Sequence, residues 1–332
     1  MDKRIIIYGN HSEWLDYCFS SAETDSYILF NQTFPTKSHI INALSKFVFY
    51  GLKFNFLKRF LFWFFTKSLS NKKKETNDKI LIIYDWHILA NDELFLVYLK
   101  KKFPNVKLVY LFTNIVKLSG AQKNSFVSEL PLYYDLIYAF DLGDSVKYDF
   151  LYSQLIYNCS KHASKDSNNN LIDCFYVGNA KDRLDMLHKV YSVLESFDLK
   201  LEFNICGVPK EKQTHKTGIH YNHYLHYVDI VEKIKNSKCI IDVIQGESQG
   251  LTIKVCEAVI FDKLLITTNK SIVNEPFYRK DYILIIDDNC IIDESFFNNY
   301  SNVNYSFEDK QYFSLLRFEK QLLNNLEKKG II

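Results

Sequence analysis

Glycine and proline are scarce in this chain, 10 and 5 of 332 residues. That shortage excludes a collagen-like, low-complexity or loop-dominated protein. The seven cysteines form no Cys-x-x-Cys pair and are odd in number. Scattered cysteines of this kind predict reduced thiols, the state expected in the cytoplasm. His215, His220, His223 and His226 crowd one region, but no His or Cys cluster has zinc-like spacing. There is no Walker-type lysine loop and no Gly-x-Gly-x-x-Gly, which argues against P-loop ATPases and dehydrogenases. The apolar run at the amino terminus, Ile5-Ile6-Ile7-Tyr8, is far too short for a signal peptide and reads as a first buried strand.

Acidic residues are missing altogether from 26 to 74. That window holds Lys37, Lys46, Lys53, Lys58, Arg59, Lys67, Lys72, Lys73 and Lys74. Within it, 40–69 carries Phe54, Phe56, Phe60, Phe62, Trp63, Phe64 and Phe65. A transmembrane helix needs about 20 mostly apolar residues, and Lys53, Lys58 and Arg59 interrupt this run, so a span is excluded. Two readings stay open: a buried helix of the first domain, or a monotopic helix with lysines on an anionic membrane surface. No RNA or DNA module pattern accompanies the basic residues, so nucleic acid is not expected. The net charge of +2 names no partner by itself.

What is present suits two α/β domains. The length exceeds a typical single core, and a hydrophobic content of 47% can bury two. In the first half, Ile5–Tyr8, Tyr27–Phe30, Ile80–Tyr84, 107–112 and Leu136–Ala139 read as buried strands. Helices are expected at 91–102 and 120–130, and the alternation implies a parallel sheet. The second half restarts with a strand at 174–177, a helix at 182–196 and strand Leu201–Cys206. A polar loop follows at 207–223, then a helix at 224–236 and strands at 239–244, 264–268 and 282–286. The predicted organisation is a first domain at 1–158, a polar linker at 159–171, a second domain at 172–307 and a C-terminal amphipathic helix at 308–332.

The most informative run is Gln249-Gly250-Leu251-Thr252-Ile253-Lys254-Val255-Cys256-Glu257-Ala258. It lies between two apolar strands, so a strand enters a polar loop and a helix carries Glu257 in its middle. Ligands of open α/β sheets sit at such strand ends. Gly250 permits a tight turn, and the helix amides after it favour phosphate. Glu257 is surrounded by apolar neighbours, and a buried carboxylate needs a partner: a ribose diol or an internal lysine. A second strand-to-helix stretch, Gly178-Asn179-Ala180-Lys181-Asp182-Arg183, could hold a diphosphate with Lys181 and Arg183. Asp242, Gln245, Glu247 and the Thr267-Thr268-Asn269 turn could read a sugar. In the first half, His11, Asp85 and His87 follow strands and are candidates for a general base. Asp141-Leu142-Gly143-Asp144 reads as a helix cap and not as a metal pair.

The 249–258 run resembles the donor-site signature of nucleotide-sugar glycosyltransferases of the two-Rossmann-domain GT-B fold. Many retaining members carry Glu-Gly-Leu or Glu-Gly-Phe, then a helix with a second Glu before Ala, spaced Glu-x7-Glu. Gln249 stands where the first Glu is expected, and Gln cannot carry a negative charge. The resemblance therefore supports donor binding more than a retaining outcome. The segments 175–183 and 239–269 also look like small capsule and lipopolysaccharide (O-antigen) biosynthesis transferases. The resemblance implies two Rossmann-like domains with a central cleft and a C-terminal helix. It implies a metal-independent transferase without a cofactor, acting from a nucleotide sugar on a glycolipid or polyprenyl-linked acceptor. The implied donor residues are Gly178, Asn179, Lys181, Arg183, Gln249, Gly250, Leu251, Thr252, Lys254 and Glu257. The implied location is cytoplasmic, peripheral on the inner face of the membrane. The alternatives are a nucleotide-sugar epimerase on the same fold and a non-catalytic membrane-docking partner of another transferase.

Overall fold

The computed structural model describes residues 5–8, 13–19, 27–30, 62, 66, 79–85, 87, 89–119, 126–157, 172–246 and 248–332. The linker expected at 159–171, His11 and most of 40–69 lie outside the described residues. The chain divides into two units, Met1–Ser153 with Gln321–Ile332, and Gln154–Lys320.

The first unit contains β1 (Ile5–Tyr8), α1 (Glu13–Phe19), β2 (Tyr27–Phe30), β3 (Ile80–Tyr84), α2 (Glu93–Lys102) and β4 (Lys107–Leu111). It continues with α3 (Leu130–Tyr133), β5 (Leu136–Ala139), α4 (Leu142–Tyr148) and β6 (Leu151–Tyr152). The sheet order is β2-β1-β3-β4-β5-β6, and every pair is parallel. Parallel strands covered on both faces need continuous apolar runs, and β3 is buried at every residue. Helix α2 starts at Glu93 because Asp92 takes an extended backbone and accepts from the Phe95 amide as its N-cap. Of the helix expected at 120–130, residues 120–125 lie outside the described residues. Its described end is a 3-10 turn at Val127–Glu129 followed by α3, whose entry Pro131 suits.

Phe62 is a core residue. It is fully buried and meets Phe95 edge-on with ring centroids 5.2 Å apart. Thr66, one turn on, is also buried and donates to the Phe62 carbonyl. Phe62 thus sides with the buried-helix reading for its own face of the segment, and it is not free to enter lipid.

The second unit contains β7 (Ile172–Asn179), α5 (Leu184–Glu195), β8 (Leu201–Cys206), β9 (Ile219–Tyr221), α6 (Tyr227–Lys235) and β10 (Ser237–Asp242). Then come α7 (Ile253–Ile260), β11 (Leu264–Thr267), β12 (Ile283–Ile285), α8 (Phe307–Gln311) and α9 (Leu315–Lys328). The order is β12-β11-β10-β7-β8-β9, again parallel throughout. Strand β9 lies within the polar loop expected at 207–223. It forms because Gly218 lets the chain press against β8, where a Cβ would stand 2.5 Å from the Leu201 carbonyl oxygen. The single helix expected from 308 is two helices. A capping box of Ser306 and Asp309 starts α8, and the chain breaks before α9. The stripe Leu315, Phe318, Leu322 and Leu326 is buried, as the amphipathic pattern required. The last part of α9 belongs to the first unit, where Gln321 donates to the Tyr152 carbonyl and Asn325 to the Tyr138 hydroxyl.

Candidate functional site

In the second sheet the chain runs outward in one direction from β7 to β8 and β9, and in the other from β10 to β11 and β12. The reversal places a topological switch between β7 and β10, and ligands of open α/β sheets bind outside the carboxyl ends at such a point. Strand β7 runs two residues past its predicted end. Gly178 and Asn179 are therefore ladder residues, paired with Ile205 and Cys206, and not part of a loop.

Strand β10 ends on Asp242, which is buried. Its Oδ1 accepts from the Thr252 hydroxyl at 2.9 Å and its Oδ2 from the Thr267 hydroxyl at 3.0 Å. Asn269 donates its amide to the Gly250 carbonyl at 3.1 Å, and Ser271 donates to the Gln249 carbonyl at 3.1 Å. Leu251 is buried beneath the loop. The residues that the sequence offered as sugar readers, Asp242, Thr267 and Asn269, thus hold the loop in place. The left-handed glycine here is Gly246, at φ +48°, and not Gly250. Thr252 is the N-cap of α7, yet its hydroxyl turns to Asp242 and no side chain caps the helix. The first turn of α7 therefore presents uncapped amides and the positive end of the helix dipole.

Lys254 lies in that first turn. Its ammonium forms no hydrogen bond or ion pair and stands 5.3 Å from the centroid of the Tyr176 ring. Burial lowers the Lys254 pKa, and the neighbouring Arg183 and Lys181 charges add to the effect, while Asp242 and Glu257 oppose it. A Cβ on Gly178 would lie 3.5 Å from this ammonium, so the glycine leaves room beside it.

Arg183 was expected to bind a diphosphate. Its guanidinium instead donates to the backbone carbonyls of Val243 at 2.8 Å, Ala180 at 3.4 Å, and Asn179. It staples the ends of β7 and β10 together and supplies positive potential from that position. Lys181, in a left-handed backbone with φ +48°, donates to Gln245 Oε1 at 2.6 Å.

Glu257 is buried in the middle of α7. The expected alternatives were a ribose diol or a lysine, and the internal partner is a tyrosine. The Tyr227 hydroxyl donates to Oε1 at 2.7 Å and lies 2.9 Å from the Tyr157 hydroxyl. Oε2 makes no hydrogen bond. Burial pushes the Glu257 pKa up to about 7 from its usual 4.5, against the Tyr227 bond and the Lys254 charge. Between those values the unfolded chain has lost this proton and the folded chain still holds it. Its contribution to stability is thus full below pH 4.5 and lost as pH rises to 7, by about 3 kcal/mol in all. Glu257→Gln should remove this loss. Urea unfolding at pH 4.5 and pH 8 checks it: the stability of the variant relative to wild type should rise with pH, and a constant difference would refute it.

In the first unit the switch lies between β1 and β3, so the ends of these strands meet the same criterion. Asp85 follows β3 and is buried. Its Oδ1 accepts from the Thr113 amide at 3.1 Å and hydroxyl at 2.8 Å, which clamps the chain after β4. His87 is buried, and its Nδ1 accepts from the Leu89 amide at 3.3 Å. Burial holds its pKa down at about 3. Such an imidazole is a poor general base, so the role expected of His87 does not fit its surroundings. Asp141 accepts from the Asp144 amide as the N-cap of α4, in keeping with its reading as a cap. Among the described residues no group of three His, Cys, Asp or Glu is placed to hold a metal ion. Tyr176 and Tyr227 carry no functional signal in the sequence; each is a polar tip on an otherwise apolar pattern.

No family model matches the chain, and no curated protein matches it. Solved structures do. An alpha-glucosyltransferase in complex with UDP and a 13-mer DNA containing an HMU base aligns at 12% identity and a TM-score of 0.52, over 94% of each chain. The catalytic domain of starch synthase IV from Arabidopsis thaliana, bound to ADP and acarbose, aligns at 9% identity and a TM-score of 0.53, over 100% of each chain. The fold is GT-B. The expectation of two Rossmann-like sheets of the α/β class is thereby met.

Proposed function

We propose that this GT-B chain is a nucleotide-sugar glycosyltransferase whose second unit binds the donor. The carrying observation is the unpaired ammonium of Lys254 on the uncapped N-terminus of α7, at the switch between β7 and β10. A diphosphate supplies the charge that this arrangement lacks. As the bond from the donor sugar to the diphosphate breaks, negative charge grows on the leaving oxygen. Lys254 and the α7 amides are already oriented to stabilise it, so no metal is required. Oε2 of Glu257 accepts a ribose hydroxyl. The UDP and ADP held by the two similar structures support a nucleoside diphosphate donor.

The acceptor in this reading is a glycolipid or polyprenyl-linked saccharide in surface polysaccharide assembly, met at the inner face of the membrane. Its support is the acid-free, aromatic sequence between 26 and 74. No described helix is long and apolar enough to cross a membrane. With Phe62 in the core, contact with lipid falls to the other aromatic residues of that segment.

Thermal shift against UDP-, GDP-, dTDP- and CMP-sugars tests the donor. Transfer of labelled sugar to lipid-linked saccharides in anionic vesicles, with EDTA present, tests the rest. One nucleotide sugar should stabilise the protein, and EDTA should leave transfer unchanged. Absence of any shift overturns the donor site. Loss of transfer in EDTA that Mg²⁺ restores overturns metal independence. Acceptor-independent epimerisation of the sugar would establish the rival activity.

A further inference from the structure

We infer that the Tyr176 hydroxyl is a donor to the anion bound between the ends of β7 and β10, hydrogen-bonding a phosphate oxygen beside Lys254. This rests on the donor site proposed above and adds to it a residue from inside the sheet. Tyr176 lies on β7 two residues before Gly178, so both face the same side of the sheet. Its ring is buried against Phe203, with centroids 5.7 Å apart. Its hydroxyl is buried and has no hydrogen-bond partner. Buried hydroxyls without partners are rare and cost stability, and each calls for an explanation.

The surroundings supply one. Asp242, the carboxylate at the strand ends whose charge acts on Tyr176, already accepts from Thr252 and Thr267. The hydroxyl reaches toward the strand end through the space that Gly178 leaves open, where a Cβ would stand 3.1 Å from it. The same Cβ would stand 3.5 Å from the Lys254 ammonium, so one notch brings the two groups together. No bond fixes Lys254, so its ammonium can shift to an incoming oxyanion and give that anion access to the hydroxyl. A phenylalanine would fill the same volume without the orphaned oxygen. Burial also pushes the Tyr176 pKa up to about 12, so at neutral pH the group donates and offers a phosphate no opposing charge.

Tyr176→Phe separates this role from packing. Binding of UDP, ADP, GDP, dTDP, CMP and inorganic pyrophosphate is measured by titration calorimetry, and melting of the unliganded protein is followed in parallel. The variant should melt at or above the wild-type temperature while its affinity falls by on the order of tenfold, the loss of one hydrogen bond to a charged acceptor. Gly178→Ala, which closes the notch, should weaken binding as well. Wild-type affinity in a folded Tyr176→Phe protein overturns the inference and leaves the proposed function standing. Pyrophosphate binding weakened by Tyr176→Phe, with no nucleotide bound by either protein, supports the inference and removes the nucleotide-sugar reading. Absence of binding of every one of these ligands to the wild type overturns both.

Discussion

Asp242→Ala is expected to lower the stability of the second unit by about 3 kcal/mol, the largest effect of any single change at this site. The carboxylate is buried and accepts from two hydroxyls on different elements, Thr252 in the loop before α7 and Thr267 at the end of β11. Removing it leaves both hydroxyls without their acceptor and frees the loop at 249–252 from β10. The loss of ligand-ready geometry should exceed what the stability change alone would give, because the first turn of α7 is placed by that loop. Asp242→Asn is the informative control. Its amide can accept from one threonine and donate to the other, so it should recover most of the stability. Urea unfolding followed by circular dichroism decides the matter. An Asp242→Ala protein within 1 kcal/mol of wild type would show that the loop is held by other means.

Much of the fold was legible because parallel strands advertise themselves. Buried on both faces, they read as short unbroken apolar runs, and Ile80–Tyr84 and Leu201–Cys206 have the predicted bounds. Strand β9 escaped because three residues at a sheet edge, one of them an exposed histidine, carry no such run. The end of β7 escaped for a different reason. Gly178 and Asn179 are poor strand formers by type, and only the pairing with β8 keeps them extended.

The site was legible in outline and not in its assignments. The spacing from Gln249 to Glu257 located the loop and helix, because one turn chemistry and one helical period are enough to place them. Which polar groups face a ligand depends on where their hydrogen bonds go, and that is a tertiary property. Arg183 has the charge for a phosphate, but its donors meet three carbonyls at the strand ends. Glu257 needed a partner, and Tyr227 lies 30 residues away in sequence. By sequence Tyr176 is one more aromatic residue of a buried strand, and only the absence of a partner for its hydroxyl sets it apart.

Lys254→Met should reduce affinity for the nucleoside diphosphate by about 10- to 100-fold, equivalent to about 1.5–3 kcal/mol for one hydrogen bond to a charged group. Methionine keeps most of the length and volume of the side chain, so the first turn of α7 should remain in place. The ammonium is partly buried and has no ion pair in the unliganded protein, so its removal should leave the melting temperature unchanged or raise it. The effect on turnover should exceed the effect on binding. The leaving diphosphate carries more charge in the transition state than in the bound donor, and a fixed cation stabilises the difference. The salt dependence of nucleotide binding should also weaken, since one fixed positive charge is gone. Calorimetric titration with UDP and ADP, together with initial rates at saturating donor, measures each part. Affinity and turnover equal to wild type in a folded Lys254→Met protein would move the diphosphate away from the N-terminus of α7. In that case Lys181, held by Gln245 at the edge of the same crevice, becomes the cation to test.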